Sequence, residues 1–180
     1  MNQQDWIRVQ PGAANYFSYD GALEQIEQFH PAATLSRVLW IGGRRALAAA
    51  RPYLPSLYDD PRSIRVTFAG HCSESIVAGY VREGQGADLV IGVGGGSALD
   101  TAKAVAHRLA KPFVAIPTIA ATCAAWTPLS VWYDDAGRAL RFELFPLASQ
   151  LVLVEPSVLL AAPADYLRAG IGDTLAQRYE

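Results

Sequence analysis

The segment Ala87-Asp-Leu-Val-Ile-Gly-Val-Gly-Gly-Gly-Ser-Ala-Leu-Asp-Thr-Ala-Lys103 decides the fold. It begins with a continuous apolar run, Leu89–Val93, which is typical of a β-strand that is buried on both faces. Its second half spaces apolar residues at helical intervals and predicts an amphipathic helix. The apolar stripe of that helix consists of Ala98, Ala102, Val105, Ala106 and Leu109. The segment therefore predicts a strand, a turn of three glycines and a helix.

The predicted turn at Gly94–Gly96 favours an anion. A ligand can approach the backbone of glycine closely, and the start of a helix adds unpaired N–H groups and the positive end of the helix dipole. We interpret this turn as a phosphate cradle for a nucleotide. The alternative is that Ser97 and Asp100 form a capping box, with Asp in place of Glu, and only start the helix.

The spacing excludes two familiar nucleotide motifs. A dinucleotide fingerprint counted from Gly92 would need its third glycine at Ser97, and no acidic residue stands about twenty positions after the turn to bind a ribose. A Walker A loop would need a Gly-Lys-Ser/Thr sequence, which does not follow. If a nucleotide binds at this turn, it binds through another kind of site.

Composition limits the function classes. The 180 residues suit one domain, or one domain and part of a second, and 51% hydrophobic residues suffice for a real core. A net charge of −2 gives no reason to expect nucleic acid or an anionic membrane surface as partner. Cys72 and Cys123 lack metal or redox spacing, and the sequence contains no signal-peptide core and no membrane-spanning stretch. We therefore expect a cytoplasmic protein with no membrane partner.

Predicted strands and helices alternate along most of the chain. Strands are expected at Arg37–Ile41, Ile64–Phe68, Phe113–Ile116 and Leu151–Val154, and helices at Gly21–Phe29, Arg44–Ala50 and from Ser73 to Glu83. This order predicts an α/β fold with a mostly parallel sheet flanked by helices. Since parallel strands end at one edge of a sheet, the loops at Gly42-Gly43, Gly94–Gly96 and Pro117-Thr118 should face one ligand crevice.

Three other segments follow different patterns. Leu129–Tyr133 and Ala139–Leu144 flank Asp134-Asp135-Ala136-Gly137, which predicts a hairpin. Short extended pieces are expected at Trp6–Val9 and Asn15–Tyr19. The stretch Leu167–Tyr179 predicts a helix whose exposed apolar surface favours self-association, so a homo-oligomer is an open expectation.

Three ordered motifs resemble the iron-containing alcohol dehydrogenase superfamily in its glycerol dehydrogenase branch. They are Gly94-Gly-Gly-Ser-Ala-Leu-Asp-Thr-Ala-Lys103, Pro117-Thr-Ile-Ala-Ala-Thr122 and Ala169-Gly-Ile-Gly-Asp-Thr-Leu-Ala176. The resemblance implies a dehydroquinate synthase-like nucleotide-binding domain, here residues 1–162, followed by an all-helical metal-binding domain that begins at 163–180. The rest of that helical domain, with its two metal-binding histidines, is missing from the sequence, and we expect an amino-terminal half that binds nucleotide with negligible turnover.

The resemblance also implies site residues. Gly94, Gly95, Gly96 and Ser97 correspond to the pyrophosphate site, and Asp100 to the family's aspartate. The other assigned cofactor positions are Thr118 and Ala121 on the adenosine side, and Thr127, Leu129 and Tyr133 on the nicotinamide side. Asp173 corresponds to the first ligand of a divalent metal, Zn²⁺ or Fe²⁺, and an aspartate can supply a hard oxygen ligand to either. Without the resemblance, Asp173 reads as an acid that complements a helix dipole.

Cys123 departs from the family pattern at a substrate position. Glycerol dehydrogenases carry an aspartate there, which contacts the polyol. A thiol cannot accept two hydroxyl hydrogen bonds and adds no charge to repel an anion. This difference favours a small 2-oxo acid as substrate, although a small packed cysteine is an equal alternative.

A second departure lies at Gly42-Gly43-Arg44-Arg45. Relatives that use NAD tend to place an acid after this strand, where it binds the ribose hydroxyls. Here two arginines follow, and guanidinium groups suit a 2′-phosphate. We therefore assign Gly43 and Arg44 to the cofactor site and prefer NADP(H) to NAD(H). Solvated arginines on a helix face are the alternative.

The resulting hypothesis is a metal-dependent oxidoreductase that transfers a hydride between NADP(H) and a small 2-oxo or 2-hydroxy carboxylic acid. Two alternatives stay open: an NAD-dependent glycerol or polyol dehydrogenase, and a non-catalytic nucleotide-binding fragment.

Overall fold

The computed structural model describes residues 12–176, so the pieces predicted at Trp6–Val9 and beyond Ala176 lie outside the described residues. The strands are β1 (Asn15–Ser18), β2 (Val38–Gly43), β3 (Ser63–Phe68), β4 (Leu89–Gly94), β5 (Phe113–Pro117), β6 (Leu129–Tyr133), β7 (Ala139–Leu144) and β8 (Leu151–Val154). The helices are α1 (Gln25–Phe29), α2 (Arg44–Ala50), α3 (Glu74–Glu83), α4 (Gly96–Leu109), α5 (Pro156–Leu160) and α6 (Ala164–Ala176).

Six strands form one parallel sheet in the order β1-β8-β5-β4-β2-β3, which confirms the predicted α/β class. The chain leaves β2 toward β3 on one side, whereas it leaves β4 toward β5 on the other side. The two connections therefore diverge at the carboxyl ends of β2 and β4. In open sheets of this kind, ligands bind in the crevice at such a switch point.

The central strands are buried on both faces, as their apolar runs predict. Leu39 and Ile41 of β2 pack with α3 and α4 on one face of the sheet. Trp40 points to the other face, where α1 and α5 lie, and its indole Nε1 donates a hydrogen bond of 3.0 Å to Ser63 Oγ. This alternation follows from the two-residue period of a strand.

Gly92 allows α4 to pack directly on β4. A β-carbon at this position would lie 2.8 Å from the Ala102 β-carbon and 3.0 Å from the Phe113 ring. Any larger residue would push the helix away from the strand. The absence of a side chain at Gly92 therefore sets how closely α4 packs on β4.

The predicted hairpin is confirmed as an antiparallel pair, β6–β7. In its turn, Asp134 Oδ1 accepts hydrogen bonds from the backbone N–H groups of Ala136 (3.0 Å) and Arg138 (2.9 Å), and Gly137 adopts a φ of 82°. Such a positive φ favours glycine. The hairpin packs against α4 through Trp132, which is buried.

Some predicted boundaries are wrong. β2 continues through both Gly42 and Gly43, because these residues extend the ladder opposite Thr67 and Phe68. The stretch predicted as one helix at Gly21–Phe29 is a 3₁₀ turn followed by the short α1.

The last helix also differs from its prediction. α6 begins at Ala164, directly after Pro163, rather than at Leu167. Leu167, Ile171 and Leu175 are more than half exposed, so the apolar surface predicted for this helix is present.

Candidate cofactor site

The glycine turn joins β4 to α4 without a side-chain cap. Gly95 precedes the first helical residue, Gly96, and no side chain of the described residues caps this end. Ser97 lies inside the helix, so the capping-box interpretation of Ser97 and Asp100 is wrong. The first N–H groups of an α-helix lack partners within the helix, and here they adjoin an open cavity.

At two of the glycines, an added side chain would force a neighbouring group to move. Gly94 has a φ of 155°, and a β-carbon there would lie 2.8 Å from the Ala98 β-carbon. A β-carbon on Gly95 would lie 2.6 Å from Ile119 Cδ1. The turn can therefore bring its backbone close to a ligand.

A cavity of about 760 Å³ lies at the switch point of the sheet. Seven of the predicted cofactor residues line it: Gly43, Arg44, Gly94, Gly95, Gly96, Ser97 and Thr118. The Thr118 N–H donates a hydrogen bond of 3.1 Å to the Gly94 carbonyl, which joins the loop after β5 to the glycine turn. The volume falls within the range typical of small-molecule and cofactor sites.

Arg44 and Arg45 are exposed at the mouth of this cavity, on the first turn of α2. Neither guanidinium forms an ion pair with another of residues 12–176. Both charges are therefore available to an anionic ligand. They stand where an ordinary helix start would favour acids, so α2 does not gain stability from them.

The sequence did not reveal all of the cavity wall. Phe68, Ile119, Val158 and Tyr166 also line it, from the ends of β3 and β5 and from α5 and α6. Phe68 and Ile119 follow parallel strands, so the edge rule could have placed them there. The positions of α5 and α6 depend on tertiary packing.

A second cavity, of about 470 Å³, lies between α6 and the loop after β5. The predicted residues Ala121, Cys123 and Asp173 line it. The structure therefore brings the proposed substrate and metal positions together, but in a cavity separate from that of the glycine turn.

The described residues supply too few metal ligands for a closed site. Residues 12–176 contain no group of three or more His, Cys, Asp or Glu side chains that could hold a metal ion. Zinc sites in proteins use three or four protein ligands. Asp173 and Cys123 alone do not meet that requirement.

Four predicted cofactor residues line neither of these two cavities. Thr127, Leu129 and Tyr133 lie on the segment that leads into and forms β6, and Tyr133 stacks on the His71 ring at 5.1 Å. Asp100 is buried under the same segment.

Asp100 forms a buried ion pair with Lys103, a residue that sequence reasoning did not select. The Lys103 Nζ lies 3.4 Å from Asp100 Oδ1 and donates hydrogen bonds to the carbonyls of Ala124 (2.8 Å) and Leu129 (2.6 Å). Burial raises the pKa of Asp100 and lowers the pKa of Lys103, and their mutual attraction opposes both shifts. No sequence signal pointed to this pair, because Lys103 lies outside the apolar stripe of α4 and reads as a polar residue of a surface helix.

The two cysteines differ in accessibility. Burial raises the pKa of the Cys72 thiol to about 12, whereas Cys123 is exposed. A reactive cysteine needs both access and thiolate character. Cys123 is thus the accessible thiol of the pair, and it lies at the predicted substrate position.

Two of the three histidines are exposed, and the third is half-buried. His71 and His107 are exposed loop and helix residues that stack on Tyr133 and Phe145. His30 is half-buried and bonds Gln150 at 2.9 Å, and burial lowers its pKa.

Gly170 of α6 contacts the Ala120 backbone so closely that an added β-carbon would collide with the Ala120 carbonyl. We expect Gly170→Ala to detach α6 from the loop after β5 and to accelerate proteolysis within α6. The matched control is Gly172→Ala, because a β-carbon at Gly172 meets no atom within 4 Å. That control should stabilise α6 by about 0.5–1 kcal/mol. Equal protease sensitivity of the two variants would contradict the expectation.

Residues 13–156 match the sequence profile of the iron-containing alcohol dehydrogenase family, and the chain belongs to that family. Among curated proteins, the chain is 57% identical over 175 residues to hydroxycarboxylate dehydrogenase A of Escherichia coli strain K12. It is 45% identical over 116 residues to glycerol dehydrogenase of Thermotoga maritima. The first alignment covers 97% of this chain and 48% of the relative, and the second covers 63% of this chain and 31% of the relative. The chain therefore spans half or less of the length of these two relatives.

Solved structures agree with the family. A probable glycerol dehydrogenase from Sinorhizobium meliloti 1021 superimposes with a TM-score of 0.83 at 29% identity, covering 96% of this chain and 48% of that one. Glycerol dehydrogenase from Schizosaccharomyces pombe gives a TM-score of 0.79 at 25% identity, covering 94% of this chain and 44% of that one. None of the helices between residues 12 and 176 is long and apolar enough to cross a membrane.

Proposed function

We propose that this chain supplies the cofactor site of a cytoplasmic oxidoreductase that transfers a hydride between NADP(H) and a small 2-oxo or 2-hydroxy acid. The observation that carries the proposal is the cavity at the switch point, which is lined by the glycine turn on one side and by Arg44 and Arg45 on the other. The high similarity to a hydroxycarboxylate dehydrogenase supports the substrate class.

Different residues of the chain would bind different parts of the cofactor. The cofactor pyrophosphate would lie against Gly94–Gly96 and Ser97, where helix N–H groups and the dipole of α4 favour negative charge. Thr118 and Ala121 would face the adenosine side, and Thr127, Leu129 and Tyr133 the nicotinamide side. NADPH, when bound, would supply the hydride, and the loop that carries Cys123 would face its nicotinamide.

We propose that Asp173, on α6, is the one ligand that these residues supply to a divalent metal. Cys123, in the same cavity, is proposed to face the substrate, where an uncharged thiol tolerates a carboxylate better than an aspartate would. We further propose that 1–162 is the nucleotide-binding domain, that 163–180 begins the helical metal-binding domain, and that the protein forms a homo-oligomer through its exposed apolar surfaces.

Titration of the purified chain with NADPH and NADH, followed by the fluorescence of the bound nicotinamide, tests the cofactor assignment. We expect tighter binding of NADPH, and negligible turnover when 2-oxobutanoate and Zn²⁺ or Fe²⁺ are added. Tighter binding of NADH would favour the alternative of an NAD-dependent glycerol or polyol dehydrogenase, which the glycerol dehydrogenase relatives support. A folded chain that binds neither nucleotide would be a non-catalytic module.

Changing both Arg44 and Arg45 to alanine should weaken NADPH binding by about tenfold or more, because charge-assisted hydrogen bonds to a phosphate are lost. Binding of NADH, which lacks the 2′-phosphate, should stay within about threefold. Arg51→Ala is the matched control, since Arg51 lies at the other end of α2 and pairs with Asp59 at 2.6 Å. A parallel loss of NADPH and NADH binding would contradict the assignment of these arginines.

A further inference from the structure

Each donor of the Lys103 ammonium group has an oxygen partner, and Lys103 does not line the cofactor cavity. Its side chain is 2% exposed, and its ammonium group meets three oxygen atoms: Asp100 Oδ1 and the carbonyls of Ala124 and Leu129. An ammonium group has three donors, so these contacts satisfy it completely.

Two of the three partners of Lys103 lie at the ends of the segment 124–129, which directly follows Cys123. Ala124 directly follows Cys123, and Leu129 opens β6. The segment between them has no strand or helix of its own; it is a series of turns and bends. Its position therefore depends on contacts with the rest of the chain, which include those of Lys103 at its ends and a hydrogen bond of 2.8 Å from Ser149 Oγ to the Ala125 carbonyl within it.

Asp100 reinforces the same attachment. Its Oδ2 accepts a hydrogen bond of 3.2 Å from the Val131 N–H, and its backbone carbonyl accepts one of 3.0 Å from Ser130 Oγ. Asp100 and Lys103 thus bind residues 124–131 to one face of α4. Since α4 begins at Gly96, Lys103 lies about two helical turns from the glycine turn on a rigid element.

We propose that Lys103 is a positioning residue: it fixes the 124–129 segment, and with it Cys123, at a set place relative to the phosphate end of α4. Lys103 lines neither the cavity of the glycine turn nor the cavity that contains Cys123. It sets the distance between the end of the site that holds the pyrophosphate and the end that faces the nicotinamide and the substrate. The attachment of the segment is independent of the ligand, whereas its effect on the nicotinamide rests on the proposed function.

The test uses the whole chain with Asp100→Asn and Lys103→Met combined. This double variant buries no unpaired charge and keeps an oxygen for the Val131 N–H, but it removes all three ammonium donors. Lys111→Met is the matched control, because Lys111 is the only other lysine in the sequence and lies 4.0 Å from Asp88, away from the segment.

Amide hydrogen exchange measures the attachment directly. In the double variant, peptides covering residues 121–131 should exchange about tenfold faster or more, as expected when hydrogen bonds to a charged group are lost. Peptides from β4 and β5 should exchange at the wild-type rate, and Lys111→Met should change neither set. Unchanged exchange in 121–131, or equal acceleration in all peptides, would overturn the proposal.

Binding of two nucleotides measures the effect on the site. NADPH is compared with 2′-phospho-ADP-ribose, which carries the same phosphates without the nicotinamide. The wild type should bind NADPH more tightly, and the double variant should bind the two equally, with its affinity for 2′-phospho-ADP-ribose unchanged.

The other outcomes separate the two proposals. A wild-type preference for NADPH that persists in the double variant, or a common loss of both affinities, would overturn the positioning role. Equal binding of the two nucleotides by the wild type would do the same, because the segment would then not hold the nicotinamide. If the wild type binds neither nucleotide, the proposed function fails, and the exchange experiment still decides whether Lys103 fixes the segment.

Discussion

Lys103→Met alone is expected to lower the free energy of unfolding by about 3–5 kcal/mol at neutral pH, because it leaves the Asp100 carboxylate buried without its cation. This is a large share of the roughly 5–15 kcal/mol that stabilises a typical domain. Urea unfolding of the variant and the wild type measures the difference.

The loss of stability in the same variant should depend on pH. Burial already raises the pKa of Asp100, and removal of Lys103 takes away the charge that opposes this rise. A carboxyl whose pKa is higher in the folded than in the unfolded state favours folding below the unfolded pKa, and this contribution is lost as the pH rises through the folded pKa. The loss of stability should therefore be smallest near pH 4 and grow toward pH 7.

The combined Asp100→Asn and Lys103→Met variant is the control for this prediction, because it has no carboxyl at this position. Its loss of stability should be smaller at neutral pH and should not grow between these two pH values. A single variant that loses equal stability at both pH values would show that the buried charge is not the cause.

Gly94→Ala is expected to weaken nucleotide binding by about a hundredfold, the loss of roughly two charge-assisted hydrogen bonds from a displaced turn. The new β-carbon would lie 2.8 Å from the Ala98 β-carbon, at a φ of 155° that alanine rarely adopts. The turn and the start of α4 must shift to relieve this contact. We expect a decrease in stability of about 1–3 kcal/mol as well.

Gly43→Ala is the matched control for Gly94→Ala. Gly43 lines the same cavity, but an added β-carbon would come no closer than 3.9 Å to its nearest neighbour, Ala46. Its φ of −65° suits any residue. Nucleotide affinity should stay within about threefold of the wild type, since a substitution free of such clashes changes free energies by only about 0.5 kcal/mol. Similar losses in both variants would mean that any side chain on the cavity wall blocks the ligand.

The sequence predicted the sheet and the main cavity because both follow from local patterns. The apolar runs that became β2, β4 and β5 are buried on both faces, and the edge rule placed Gly43, Gly94 and Thr118 around one cavity. Each of these inferences needs only strand direction and residue type.

The buried pair and the second cavity required contacts between segments distant in the sequence. Lys103 reads as a polar residue on a surface helix until the 124–131 segment is seen to cover it. Cys123 and Asp173 line the same cavity because α6 packs against the loop after β5, through Gly170 and Ala120. The spacing of apolar residues in these two segments does not predict that packing.

The scarcity of lysine gives the protein a ready chemical handle. Apart from the α-amino group, Lys111 is the accessible amine, because the sequence has only two lysines and Lys103 is 2% exposed. Lys111 follows the carboxyl end of α4, whose 14 residues span about 20 Å from the glycine turn. Once the α-amino group is blocked, an amine-directed fluorophore would attach at Lys111, away from the cofactor cavity yet within energy-transfer range of a bound reduced nicotinamide.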